Sequence, residues 1–494
     1  MNAPASLALS LVSHTNVGKT TLARTLLQRE VGEVRDAPHV TEFVDGHEML
    51  RTPQGEVLLL WDTPGFGDSV RLLRRLQQAG NPLGWFLGQV WDRWRDRPFW
   101  ASQQVLRHVA AASDAVLYLV NAAEAPAAAG YIEPEMALLG WTGRPVIVLL
   151  NQLGPPRAPA DEQAELQRWR EHFARFAPVA QVLPLDAFAR CWVQEGTLLQ
   201  AVAQALDGER RALMLRLCAA WQAQRQATFD AAVEVLAASL GRIAAARQPL
   251  DGHDWRARLR SLGAALGLRA DERDPATLAQ AALAAALEDE VRAATARLLE
   301  LHRLPGSAQA EVLQRVADGY ELRLKLDEGR AALLGGALSG ALAGLKADVA
   351  SGGLTFGGGV LAGGLLGALG AAGLARAVNL VRGTGRSWVT WKPEALDLLL
   401  QAALLRYLAV AHYGRGRGDW TRAESPAHWL PLVAEALAPR QPQLAALWAG
   451  RAPPTDAPAA EAEAARLAQA LHEPIAQALL QALRALYPQA PMWR

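Results

Sequence analysis

Residues 13–20 read Ser13-His14-Thr15-Asn16-Val17-Gly18-Lys19-Thr20. An apolar segment, residues 7–12, precedes this run, and a helical pattern, residues 21–29, follows it. Strand, loop and helix in that order, around G-x-x-x-x-G-K-[ST], mark a phosphate-binding P-loop, complete here except that Ser13 stands at the first glycine position. No other stretch constrains the fold as strongly, because such a loop needs a strand to deliver it and a helix N-terminus behind it. The residue types follow from the chemistry. Gly18 lets the backbone approach phosphates, and the loop amides with the helix N-terminus supply positive potential. Lys19 is expected to reach the β- and γ-phosphates, and the Thr20 hydroxyl to ligate magnesium. Asn16, Val17 and Thr21 complete the loop residues expected to contact nucleotide.

A second motif lies at the right distance. Asp62-Thr63-Pro64-Gly65 ends an apolar strand, residues 56–61. A carboxylate at such a strand tip holds magnesium through water, and Gly65 offers a backbone amide to the γ-phosphate. Thr41 lies between the first helix and a hairpin over residues 45–62, which makes it the natural switch I threonine and a further magnesium ligand. Lys19, Thr41 and Gly65 are thus the expected catalytic set, and Thr20, Thr41 and Asp62 the expected metal set.

The base-reading signal is partial. A strand at residues 146–150 runs into Asn151-Gln152-Leu153-Gly154, where guanine-binding proteins carry N-K-x-D. Asn151 keeps the pattern, Gln152 stands in place of the lysine, and Gly154 in place of the aspartate that reads guanine. Loss of that carboxylate costs base discrimination, so the choice between GTP and ATP stays open. Asp186-Ala187 follows the next strand, residues 179–185, where a backbone amide normally meets the base oxygen.

With these motifs in place, residues 7–206 resemble an Era/TrmE-like GTPase domain, and Asp62-Thr63-Pro64-Gly65 is the form found in translation-factor-class GTPases. The resemblance implies that Asn16 helps bind a potassium ion, which supplies charge in place of an arginine finger; a loop residue satisfying its own backbone fits Asn16 as well. Phe66 stands where Ras-like proteins have a catalytic glutamine, which places the chain with hydrophobic-substituted GTPases, often completed by nucleotide-dependent homodimerisation. The whole chain is also similar to a bacterial family that joins this domain to a helical C-terminal domain of unknown function. Tyr131-Ile132-Glu133-Pro134-Glu135-Met136, Trp141-Thr142-Gly143-Arg144-Pro145 and residues 350–359 carry that likeness.

At 494 residues the chain is long enough for two or three domains. Charge is balanced, 50 Lys+Arg against 49 Asp+Glu, so there is no global nucleic-acid signal. Cys191 and Cys218 sit in no metal spacing and read as inert thiols of a reducing compartment. No signal peptide fits before the first strand, which points to the cytoplasm. Residues 83–100 are rich in Trp, Phe and Arg; a helix packing its aromatics inward and a membrane-interface or partner-binding insert both fit.

After residue 208 strands are expected to vanish. Residues 209–247, 274–302, 309–327, 393–413 and 461–486 all read as helices. Residues 331–345 and 349–375 carry no charge, with Gly336, Gly340 and Gly344, and then Gly359, Gly363 and Gly367, spaced by four. That spacing lets two helices approach closely. The second run is long enough to span a bilayer core of about 20 residues, and basic residues flank the pair. Glycine and alanine gain little on insertion, however, and a buried hairpin would show the same pattern.

The expected fold is therefore a doubly wound, mostly parallel α/β P-loop GTPase domain (1–207), then a helical domain (208–328), a Gly/Ala-rich apolar hairpin (329–382) and a C-terminal helical region (383–494). The expected function is Mg-dependent GTP hydrolysis by a regulatory or assembly switch, acting at the cytoplasmic membrane with an unidentified protein partner. A soluble regulatory NTPase linked to ribosomes or RNA and a nucleotide-binding scaffold with little turnover are the alternatives.

Overall fold

The computed structural model describes residues 5–28, 45–77, 97–153, 159–185, 191–249, 275–304, 378–382, 387–412, 429–452 and 456–493. The 309–327 helix, the 331–375 apolar runs and most of the 83–100 aromatic segment lie outside them. The chain divides into two compact units: Met1–Gln226 with His412–Trp420 and Tyr487–Arg494, and Ala227–Ala411 with Thr421–Leu486.

The first unit is built on a six-stranded sheet. Strand β1 (Ser6–Ser13) leads into helix α1 (Lys19–Leu27), and the hairpin β2 (Asp45–Arg51) and β3 (Val57–Asp62) follows. Helices α2 (Ser69–Gln77) and α3 (Arg97–Ala112) precede β4 (Ala115–Asn121). Then come α4 (Ile132–Gly140), β5 (Val146–Asn151), α5 (Pro159–Phe173), β6 (Val179–Pro184) and α6 (Trp192–Ala205). The strand order is β2-β3-β1-β4-β5-β6; only β2 runs antiparallel to its neighbour. Seven of β1's eight residues are buried, as parallel strands covered on both faces require. Parallel pairing brings the C-terminal ends of β1, β3, β4 and β5 to one edge. Leu11 pairs with Asp62, Ser13 with Leu119 and Asn121 with Asn151, so the expected motifs converge there. Chain order reverses on either side of β1, which is where open α/β sheets bind ligands.

Phe66, Phe99, Tyr118, Trp169 and Phe173 are fully buried in the core of this unit. Phe99 belongs to the aromatic segment, and it packs inward, with Arg71 Cζ 5.1 Å and Arg75 Cζ 5.3 Å from its ring centroid. Near the far end of the unit, His412 Nε2 lies 2.8 Å from the Tyr487 hydroxyl, which donates to Gln194 Oε1 at 3.4 Å. Cys191 is buried at the start of α6, and burial pushes the Cys218 thiol up to about 11, both in keeping with inert thiols.

The second unit is helical, with one correction to the sequence reading: strands do not vanish after residue 208. Helix α7 (Gly208–Ala245) ends in strand β7 (Arg247–Pro249), which pairs with β9 (Ser387–Trp391), which in turn pairs with β8 (Val378–Arg382). The sheet is antiparallel and short. Helix α8 (Pro275–Leu301) packs on β7 and β9. Helices α9 (Pro393–Ala411), α10 (Trp429–Leu437), α11 (Gln441–Ala449) and α12 (Ala457–Leu486) complete it. Such strands escape a sequence reading because three to five residues do not establish a period of two.

Helix ends in this unit are closed by one guanidinium. Arg451 donates to Trp448 O at 2.9 Å, Ala244 O at 3.1 Å and Trp391 O at 2.8 Å. These are the terminal carbonyls of α11, α7 and β9, groups that have no partner within their own element. Helices α7 and α12 approach so closely at Gly241 that an added Cβ would overlap Ala464 O and lie 2.9 Å from Ala468 N. Backbone cannot yield as a side chain can. Gly241→Ala is therefore expected to lower stability by about 1–3 kcal/mol, read as a drop in unfolding midpoint by differential scanning calorimetry. An unchanged midpoint would show that the two helices do not meet there.

Candidate functional site: a phosphate-binding loop at the sheet's carboxyl edge

Between β1 and α1 the chain must turn sharply, and two residues take left-handed backbone to do so. Gly18 has φ 91° and caps α1; Asn16, an exposed residue, has φ 62°. Asparagine tolerates that region better than most side chains. Val17 and Thr21 are buried on either side of the turn.

Lys19 is buried, and its ammonium donates to Ser13 Oγ at 2.9 Å. Burial pulls the Lys19 pKa below its ordinary value, while the charges of Asp62 and Glu135 oppose that shift. Ser13 itself donates to the His14 carbonyl. The residue that departs from the motif thus places a hydroxyl on the loop lysine, a role that the glycine of the standard pattern could not fill.

Thr20 Oγ1 donates to Asp62 Oδ2 at 2.6 Å, joining the helix start to the tip of β3. A hydroxyl beside a carboxylate offers hard oxygen donors, the set that suits magnesium. Thr63 Oγ1 donates to Leu11 O at 2.6 Å and fixes the turn that follows Asp62. Gly65 then passes against the loop: a Cβ there would lie 3.0 Å from Thr15 Cα and 3.1 Å from Lys19 Nζ. A side chain at 65 would press on the P-loop backbone at Thr15 and on the lysine, which would have to give by a few tenths of an ångström. The Phe66 amide donates to Ser13 O at 2.9 Å, and its ring is fully buried. It fills core instead of facing the site.

Asn151, at the end of β5, is fully buried, and its Nδ2 donates to Val17 O at 2.7 Å. An added Cβ on Gly18 would sit 2.8 Å from that same nitrogen. The first residue of the base-reading motif therefore braces the P-loop from behind. Gln152 follows with φ 57°. Thr41, Gly154, Asp186 and Ala187 lie outside the described residues. Lys19, Thr20, Asp62, Gly65 and Asn151 are brought together.

One group that the motifs did not assign stands directly behind the loop. Glu135 of α4 is fully buried, with His14 Nδ1 at 2.8 Å from Oε1 and the Tyr118 hydroxyl donating to Oε2 at 2.6 Å. A signal for it exists in the sequence: Glu135 falls three and four residues before Leu138 and Leu139, and three after Ile132, on the apolar face of its helix.

Residues 8–152 match the family model described as a 50S ribosome-binding GTPase. Residues 170–448, more than half of the chain, match the model described as a domain of unknown function, DUF3482. Among solved structures the chain is similar to an Era variant from Aquifex aeolicus bound to GDP·AlF4⁻, at 16% identity over 41% of this chain and 58% of that one, TM-score 0.31. It is similar to Era in complex with MgGDPNP and part of 16S ribosomal RNA, at 17% identity over 37% and 51%, TM-score 0.28. It is also similar to a probable GTP-binding protein, engB, at 16% identity over 36% and 88%, TM-score 0.23. The matches span 58% and 51% of the two Era chains. No curated protein matches.

Asn151→Ala leaves the buried Val17 carbonyl without this donor, a loss of about 1–3 kcal/mol. The expected result is a lower unfolding midpoint together with weaker nucleotide binding, checked by thermal denaturation and by titration with a fluorescent guanine nucleotide. Normal binding with a normal midpoint would mean that the brace is dispensable.

Proposed function

The chain belongs to the DUF3482 family and carries a P-loop GTPase domain at its N-terminal end; on that premise we propose that it is a magnesium-dependent GTPase whose nucleotide state controls its helical part. The observation that carries the proposal is the convergence of Lys19, the Thr20–Asp62 pair and the Gly65 backbone at one edge of the sheet.

Lys19 holds the β- and γ-phosphates, with the loop amides of Asn16 to Thr20 around them. Thr20, Asp62 and Thr41 would hold magnesium. When bound, the ion neutralises charge on the phosphates. Gly65 gives its amide to the γ-phosphate, and the lack of a side chain there spares a tight contact with Thr15 and Lys19. Asn151, Gln152 and the Asp186-Ala187 backbone form the base side of the pocket. Phe66, buried, positions no water, so the attacking water is oriented without a Ras-type glutamine; the charge that an arginine finger brings elsewhere is a separate need. A potassium ion at Asn16 fits that need, as does completion of the site by a second copy of the chain.

For the C-terminal part, the reading is membrane association through the two uncharged runs at 331–345 and 349–375, with their four-residue glycine spacing and basic flanks. No helix among the described residues is long and apolar enough to cross a membrane. The domain boundaries at 207, 328 and 382 belong to the same proposal.

Lys19→Ala is expected to weaken binding of magnesium–GTP by about 1.5–3 kcal/mol, roughly ten- to a hundredfold, because it removes a charge-assisted contact to phosphate. Calorimetric titration of GTP against ATP on the wild type and this variant measures both affinity and base preference. Unchanged affinity in the variant would overturn the P-loop reading.

Turnover is expected to be faster in KCl than in NaCl at equal ionic strength, and the difference to disappear in Asn16→Ala. Equal rates in the two salts would leave Asn16 as a turn residue. Full-length protein expressed in cells is expected to resist carbonate extraction from membranes; recovery in the supernatant would remove the membrane reading and leave the GTPase reading intact.

A further inference from the structure

Glu135 is a fully buried carboxylate that the phosphate chemistry does not use. Stripping such a group of water is costly unless partners replace the solvent. Here two do, one on each oxygen: His14 Nδ1 at 2.8 Å and the Tyr118 hydroxyl at 2.6 Å. Burial pushes Glu135 above the usual carboxylate range, while His14, Tyr118 and Lys19 pull it the other way. The His14 ring also stacks on Tyr131, centroids 4.5 Å apart and planes at 17°. The imidazole is thus fixed in its plane by Glu135 and on its face by Tyr131.

His14 is the second residue of the P-loop, and residues 13–15 are the part of the loop that the Gly65 turn touches. The Phe66 amide donates to Ser13 O, His14 and Phe66 pair as an isolated parallel bridge, and Gly65 presses on Thr15. The far side of the turn is held by Ser102 Oγ, which accepts from the amides of Gly67 and Asp68 at 3.0 and 3.1 Å. Movement of His14 therefore moves the frame on which the Gly65 amide is set.

We infer that Glu135 is a positioning residue that acts through His14: it fixes loop residues 13–15, and with them the Gly65 amide, so that the site distinguishes a nucleoside triphosphate from a diphosphate. The inference rests on the proposed role of Gly65 at the γ-phosphate. Glu135 needs to touch no substrate atom, since a displacement of one ångström in a positioned group is enough to weaken its interaction. A carboxylate is required because it accepts two hydrogen bonds through two oxygens. A glutamine of the same shape replaces one acceptor oxygen by an NH2 donor, so His14 or Tyr118 must reverse from donor to acceptor to keep its contact.

The test uses full-length wild type, Glu135→Gln, His14→Ala and the double variant, each titrated with magnesium–GDP and magnesium–GMPPNP, a non-hydrolysable triphosphate, with an unfolding midpoint for each protein. His14 is partly exposed, so its truncation gives a second variant that does not empty the core. Each single variant is expected to lose about tenfold or more in triphosphate affinity relative to diphosphate affinity. The double variant is expected to lose no more than His14→Ala alone, because the effect passes through that ring. A lower midpoint with both nucleotides weakened equally would show a structural role only and overturn the inference. Additive losses in the double variant would overturn the route through His14. Wild type that binds neither nucleotide would remove the GTPase reading itself, and this inference with it.

Discussion

The hydrogen bond between Thr20 and Asp62 exists because β1 is inserted between β3 and β4. Parallel pairing aligns Asp62 with Leu11, two residues before β1 gives way to the P-loop. The first residues of α1 then have nowhere to start except over the tip of β3. A slip of one residue in that register would turn the Asp62 side chain to the other face of the sheet and leave the Thr20 hydroxyl facing the wrong group. The apolar content of β1 is thus what secures the chemistry: Leu7, Leu9 and Leu11 on one face and Ala8 and Val12 on the other, all buried, hold the register in which the polar groups meet.

From that constraint the rest of the site follows in order. Lys19 is forced inward and is met by Ser13. Asn151, carried to the same edge by β5, closes on the back of the loop. The Asp62-to-Phe66 turn folds down onto residues 13–15, anchored by Thr63 at one end and by the buried Phe66 ring at the other. Rigid loops of this kind keep their amides oriented before any anion arrives, so that binding costs little reorganisation.

The sheet and the loop were legible because their signals are local. A strand, a glycine-lysine-threonine run and a second strand ending in aspartate are readable residue by residue, and the pairing that joins them is the one parallel sheets prefer. The significance of Ser13 was not legible, since as a pattern it is only a mismatch; its partner, the Lys19 ammonium, is set by three-dimensional proximity. Glu135 was legible only as an acid on an apolar helix face; its partners, 17 and 121 residues away in sequence, were not. The small β7-β9-β8 sheet went unread for a different reason. Its strands come from distant stretches of the chain and are too short to show alternation.

Tyr487 belongs to the compact unit that begins at the first residue. Its hydroxyl reaches Gln194, and the turn Pro491–Trp493 that follows packs on α6. During synthesis the ribosome releases the strands of this unit long before residue 487 emerges, and N-terminal segments generally fold first. The nascent GTPase unit must therefore wait, with the α6 face that receives Tyr487 uncovered, while some three hundred further residues are added. A fragment cut after the sheet would lack the Tyr487 hydroxyl and the Pro491–Trp493 turn that meet α6.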